Sequence, residues 1–194
     1  MPQHHIAQVN IARMKAPLDD PLMARFAARI SEINALADSS PGFIWRLQTT
    51  EGDATYLRPY DDDRILFNLS VWETVEALKH YVYRTAHVEL LRQRHDWFEK
   101  PAKGAAASSF QSSKDAAALR FAARVSEDFG GSSVALWWVP VGHVPGVDEA
   151  KKRLAHLDQN GPTQFAFTFQ TVVQPDEEFQ RGIDWSSFKP CPAV

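Results

Sequence analysis

Three segments of the chain, HIAQVNIA, GFIWRLQTT and RILFNLSVW, alternate their side chains with a period of two. A strand uses this period to separate two environments. One set of alternate positions, Ala7, Val9, Ile11, Phe43, Trp45, Leu47, Ile65, Phe67, Leu69 and Val71, is apolar throughout. The other set, Ile6, Gln8, Asn10, Ile44, Arg46, Gln48, Leu66, Asn68, Ser70 and Trp72, is mixed. The apolar set is the face expected under helices. Carboxamides and a lone arginine, in place of Lys and Glu, suit a second sheet across an interface or a semi-polar cavity. A homodimer through this mixed face is the expectation.

Between the strands the pattern turns helical. A helix is expected from DDPLMARF, with Asp19 or Asp20 as cap and Pro21 in the first turn. Its apolar stripe is Leu22, Phe26, Ile30, Ile33 and Leu36, and SSPG stops it. The polar stretch EGDATYLRPYDDD reads as a turn or an active-site loop. The third strand runs straight into a helix opening with ETVEALKH, where Glu73 and Glu76 suit the helix dipole. A fourth strand SVALWWVPV, a helix stopped by Asn160, Gly161 and Pro162, and a fifth strand QFAFTFQTVV follow. The order β-α-β-β-α-β, then α-β, gives an α+β class with helices on one face of the sheet. Residues 1–174 form one domain, and 101–133 look inserted, with a helix at AAALRFAARVSEDF. RFAARVSE at 120–127 nearly repeats RFAARISE at 25–32, as two similar amphipathic helices would. The tail 175–194 carries Phe179, Trp185 and Phe188 and is expected to lie against the domain or a partner chain.

Composition narrows the function. Lys+Arg 21 against Asp+Glu 24 leaves no basic surplus for a nucleic acid. The single cysteine, Cys191, cannot build a disulfide framework within one chain. The start of the chain lacks the basic-then-apolar pattern of a secretory signal. VALWWVPV, the longest apolar run, is far short of the roughly 20 residues that span a bilayer. A cytoplasmic protein, bound to neither membrane nor nucleic acid, is expected. The carboxylates of DDD at 61–63 point apart in a turn, and phosphate-loop, G-x-S-x-G and H-E-x-x-H patterns are missing.

Chemistry concentrates in HYVYRTAHVELLRQRHDWF, residues 80–98. On one continuous helix, His80, Arg84, His87, Leu91 and His95 fall on a single stripe, with Ala77, Tyr81 and Val88 beside it. His87 there is a candidate general base or heme ligand. Arg84, one turn earlier, would stabilise an oxyanion and hold His87 neutral by repulsion. A structural reading instead makes His80 and His95 helix-end or surface residues and bonds a core His87 to a backbone carbonyl. Arg92 and Arg94 are expected in water beside Glu89 and Asp96. Mid-strand Arg46 needs a partner, either an acid such as Asp61 to Asp63 across a dimer or a substrate. Trp45, Trp72, Trp137 and Trp138 suit a core, and could also line a site for a flat apolar ligand.

The blocks HIAQVNIARMKAPLDDP, INALADSSPGFIWRLQ, LSVWETVEALKHYVYRTAHVELLRQRHDWF, LWWVPVGHVP and GPTQFAFTF together resemble the bacterial family called domain of unknown function 3291. The resemblance runs in order over residues 5–169, and departs from the family at 101–133, where members pass almost directly from WF to LWWVP. It implies the dimeric α/β-barrel superfamily, in which ferredoxin-like β-α-β-β-α-β sheets pair into a barrel. That superfamily holds cofactor-independent monooxygenases, heme-degrading monooxygenases, chlorite dismutases and muconolactone-type isomerases. Similarity to the heme-degrading branch would assign Asn10, Tyr81 and His87. The expected function is a cofactor-independent enzyme for a hydrophobic small molecule, acting by oxygenation, isomerisation or cyclisation. His87 and Arg84 would be catalytic, and Asn10, Trp45, Arg46, Asn68, Trp72, Tyr81, Leu91, His95 and Trp137 would bind substrate. The alternatives are a heme protein with His87 as axial ligand, and a non-catalytic ligand-binding or interaction protein.

Overall fold

The computed structural model describes residues 4–99 and 132–190. The expected insertion, its helix and the octapeptide at 120–127 therefore lie almost wholly outside the described residues. Strand β1, His4–Arg13, runs through the middle of a four-stranded antiparallel sheet. It pairs on one edge with β3, Ile65–Trp72, and on the other with β4, Ser132–Pro140. Short β2, Phe43–Arg46, lies outside β3, giving the order β2-β3-β1-β4. This is the ferredoxin-like arrangement of a β-α-β-β-α-β chain.

The helices α1, Ala24–Ala27, and α2, Ile30–Asp38, connect β1 to β2. Asp20 starts them: its carboxylate accepts the Leu22 amide at 2.8 Å, and Pro21 opens a 3-10 turn. Leu22, expected in the apolar stripe, is 50% exposed on that turn. After β3, Thr74 caps α3, Val75–Arg84, by accepting the Ala77 amide at 3.0 Å. Helix α4, His87–Trp97, follows. Beyond β4 come α5, Val147–Asn160, ended by Gly161 at φ +70°, and the short α6, Glu177–Gly182. The expected fifth strand shrinks to one antiparallel bridge between Leu136 and Phe167.

The two faces of the sheet are as the alternation predicts, but their covers differ from expectation. Ala7, Val9, Ile11, Phe67, Leu69 and Val71 meet Ala150, Leu154 and Leu157 of α5, with Leu47, Ala54 and Tyr60 from the loop before β3. The mixed face is roofed by α1 to α4. Helices thus lie on both sides of the sheet, and the face expected to meet a second sheet is already occupied within one chain. Helices α2, α3 and α4 pack over the face on which a homodimer is expected, where Gln8, Asn10, Asn68 and Ser70 stay partly exposed. Phe43 also changes sides: an irregularity between Phe43 and Trp45 turns its ring onto Trp72 at 5.3 Å.

On the α5 face the sheet buries a charge pair. Glu149 and Arg153 are both 0% exposed. The Glu149 carboxylate accepts Trp137 Nε1 at 2.8 Å and Arg153 Nη2 at 3.1 Å, and His143 Nε2 lies 2.8 Å from its other oxygen. Arg153 Nη1 donates to the Phe165 carbonyl at 2.7 Å, and the guanidinium sits 3.8 Å from the Phe165 ring centroid. Burial pushes the guanidinium down to about 10 against the pull of Glu149, so it keeps its charge at neutral pH. Trp185 and Phe188 of the tail complete its aromatic cover, which places the tail on its own domain. Removing one partner of such a pair strands the other charge. Glu149→Ala should therefore cost roughly 3–5 kcal/mol, read from the midpoint of urea unfolding. A loss below about 1 kcal/mol would show that the pair behaves as an exposed one.

Candidate active site

Between the mixed face and its helical roof lies a cavity of about 190 Å³. Its apolar wall includes Phe26, Ile30 and Ile33 from the first helices, Tyr81 and Val82 from α3, and Leu90 and Leu91 from α4. The floor follows from strand register. Cross-strand pairs Ile6/Trp72, Gln8/Ser70, Asn10/Asn68 and Ala12/Leu66 occupy successive positions of one face. Two polar pairs are flanked by apolar ones, so the floor is polar at its centre.

That centre is hydrogen-bonded in sequence. Trp72 Nε1 donates to Ser70 Oγ at 3.0 Å, and Ser70 donates to Gln8 Oε1 at 3.1 Å. Gln8 Nε2 donates to Asn10 Oδ1 at 3.1 Å. Asn10 Nδ2 and the Asn68 carboxamide have no hydrogen-bond partner among the described residues, and both residues line the cavity.

The stretch 80–98 does not form one helix. Thr85 is extended, with φ −112° and ψ −177°, and separates α3 from α4. Its hydroxyl donates to the Tyr81 carbonyl at 2.6 Å and accepts the His87 amide at 3.3 Å, so it joins the end of one helix to the start of the next. Counting 100° per residue across this break fails. His87 reaches the cavity from the first turn of α4, whereas Arg84, in the last turn of α3, is exposed and does not line it.

His87 Nδ1 lies 3.3 Å from the Val82 carbonyl oxygen. A carbonyl only accepts, so Nδ1 carries the proton and Nε2 keeps a lone pair. Nε2 has no hydrogen-bond partner among the described residues. Desolvation lowers the His87 pKa, outweighing the Val82 bond that favours the charged ring. Its neutrality thus comes from burial, in place of the expected repulsion by Arg84. Tyr81 stacks between His87 and Trp72, with centroids at 4.9 and 5.0 Å. Burial holds its phenol well above the ordinary value, Arg46 pulling it back and Asp38 pushing it further.

Among the expected substrate contacts, Asn10, Arg46, Asn68, Trp72, Tyr81 and Leu91 line the cavity with His87. Trp45, Trp137 and His95 do not. Trp45 packs toward the α5 side, Trp137 is held there by Glu149, and His95 is exposed near the end of α4. Arg46 finds its acid within the chain: Nε and Nη2 reach Asp38 at 2.7 and 3.1 Å, and Nη1 donates to the Gly52 carbonyl. Asp61 to Asp63 do not take that part; Asp62 accepts Arg13 Nε at 2.6 Å. Arg94, expected in water, lines the cavity and donates to the Leu91 carbonyl. Glu89 lies 3.6 Å from Arg29. Gln8 and Ser70 are further cavity residues, already marked by their place on the mixed face, while Asn34, Asp53 and Thr55 carry no comparable periodic signal.

No group of three or more metal-ligating side chains occurs among the described residues. The cavity is smaller than the roughly 300–1,000 Å³ of pockets for drug-sized ligands, so the described residues suit a small ligand better than heme. Among the described residues no helix is long and apolar enough to cross a membrane.

The family described as domain of unknown function (DUF3291) matches residues 5–108 and 103–182. No curated protein matches the chain. Among solved structures it is similar to SnoaB, a cofactor-independent oxygenase from Streptomyces nogalater, at 17% identity and TM-score 0.37, over 50% of this chain and 85% of that one. A mutant of SnoaB matches at 16% identity and TM-score 0.37, over 49% and 84% of the two chains.

The helix junction is open to direct test. Thr85→Val keeps the side-chain shape and removes both hydroxyl bonds. Stability should fall by about 1 kcal/mol in urea unfolding, and an unchanged midpoint would show that the hydroxyl does not hold the two helices.

Proposed function

The chain belongs to the DUF3291 family, and on that premise we propose a small-molecule enzyme that works without a bound cofactor and begins by removing a proton from an apolar, oxygenated substrate. The observation carrying this reading is the setting of His87. Its ring is fixed through Nδ1, neutral through burial, keeps Nε2 without a partner among the described residues, and lines the cavity that the Asn10 and Asn68 carboxamides also line. A base of this kind needs its lone pair free near neutral pH. The charge it generates needs donors placed where it develops.

In the proposed step, His87 Nε2 takes a proton from carbon next to a carbonyl or from a phenol. The electron pair left behind delocalises onto the substrate oxygen, which accepts hydrogen bonds from the Asn10 and Asn68 amides. The next steps open to such an anion are few. Reprotonation at another carbon is isomerisation, and attack on an electrophilic carbon of the same molecule is cyclisation; both are redox-neutral. Oxygenation would consume dioxygen as a co-substrate, the enolate supplying the electrons. Asn10 and Asn68, expected to share the oxyanion role with Arg84, carry it here without Arg84, which lies outside the cavity. Trp72 and Tyr81 stack on each other and back the cavity wall beside His87.

Native mass spectrometry of protein purified without added cofactor would reveal a retained ligand and supply the substrate for assay. On that substrate His87→Ala should lose about 10²–10⁴-fold in turnover with the fold intact by circular dichroism, and unchanged turnover would remove the assignment.

The pH dependence has a definite sign. Because the folded-state His87 pKa is lowered, kcat/KM should rise through a pKa below the ordinary value of about 6.5, and His87→Ala should lack this limb. The unfolded chain takes up that proton first, so stability should also decline as pH falls below about 6.5. His156, lowered by burial and then by Arg153, adds to the same trend. Stability that rises on mild acidification would contradict this.

A further inference from the structure

We propose that Gln8 is a positioning residue which fixes Asn10 as a hydrogen-bond donor to the cavity, and that the site therefore selects substrates presenting an acceptor-only oxygen, a carbonyl or its oxyanion, to the sheet. The inference rests on the reading of the cavity as a small-molecule site and adds a polarity to it.

Trp72 sets the first direction. An indole Nε1–H can only donate, so Ser70 Oγ accepts from it at 3.0 Å. The Ser70 proton then goes to Gln8 Oε1 at 3.1 Å. A carboxamide that accepts through its oxygen has its nitrogen left to donate, and Gln8 Nε2 donates to Asn10 Oδ1 at 3.1 Å. With Asn10 Oδ1 so engaged, the other end of the same group is an NH₂. Turning over either amide alone would set two like ends against each other, and turning over both would leave the Ser70 proton without an acceptor among the described residues.

The register explains why the relay ends where it does. Gln8 faces Ser70, and Asn10 faces Asn68, on adjacent cross-strand pairs of one face. All four line the cavity. Asn10 Nδ2 has no partner among the described residues. Asn68 carries no such constraint and can turn either end to a ligand. The sheet therefore presents one fixed donor and one adaptable amide, surrounded by apolar side chains. A ligand group that can only donate finds no acceptor at the fixed position, and an unmet polar group in such a site weakens binding.

Two flat bicyclic probes of similar size separate the cases: 1-indanone, whose carbonyl only accepts, and indole, whose N–H only donates. Their affinities are measured by ligand-observed NMR titration in the wild type, in Gln8→Met and in Ser70→Ala, with circular dichroism to verify the fold. Indole can reach His87 Nε2 in all three proteins, so the relay is read from the change in the affinity ratio. The indanone-to-indole ratio should fall about tenfold in each variant, as Asn10 becomes free to present its oxygen. Should one variant fail to fold, the other carries the test. A parallel loss for both probes with an unchanged ratio would reduce Gln8 to a packing role and overturn the inference, while leaving the small-molecule reading standing. Failure of the wild type to bind either probe would remove both.

Discussion

Strand β1 is hydrogen-bonded along both edges, to β3 and to β4, and this double pairing determines where every later element can go. A central antiparallel strand has no freedom to slip, because a shift of one residue would exchange its faces. Ala7, Val9 and Ile11 are thereby committed to the α5 side, and Gln8 and Asn10 to the side of α1 to α4. Polar groups at the centre of a roofed sheet need partners. The chain from Trp72 through Ser70 and Gln8 supplies them up to Asn10, and the remaining amide groups open onto the cavity.

The roof leaves a cavity because neither of its two connections is a single straight helix. The first divides at Ala28 and Arg29 between α1 and α2, and the second at Thr85 between α3 and α4. Met14, Met23, Phe26, Leu66 and Trp97 close one end of the space as a small apolar cluster. Arg46 holds Asp38 and the Gly52 carbonyl, tying β2 to the end of α2 and to the following loop. Site and stability draw on different layers: the base and the amides belong to the roofed side, and the buried charge pair to the α5 side.

Much of this was legible in the sequence at the level of faces. The alternation of residues 6–12 and 65–72 alone places Asn10, Asn68 and Trp72 on one face. It could not tell which helices cover which face, since an apolar surface records only that something covers it, and α5 fills that role as well as α1 and α2 do. The same limit applied to the helix of residues 80–98. Thr85 breaks it through one extended residue and two hydroxyl bonds, a local competition between side chain and backbone that periodicity does not register. Arg84 and His95 were lost from the site for this reason, and Arg94 was gained. Trp137 illustrates a different gap, because its indole serves Glu149, a residue twelve positions away whose burial has no hydrophobic signature.

The aromatic cover of Arg153 has a consequence for synthesis. Phe165, Trp185 and Phe188 all follow the arginine in the chain, so a nascent polypeptide displays α5 with its aromatic cover incomplete until the tail has emerged. Domains fold as units once their parts are available. For this chain the α5 layer is completed late, and a ribosome paused before Trp185 would hold a sheet whose pocket side could already be assembled.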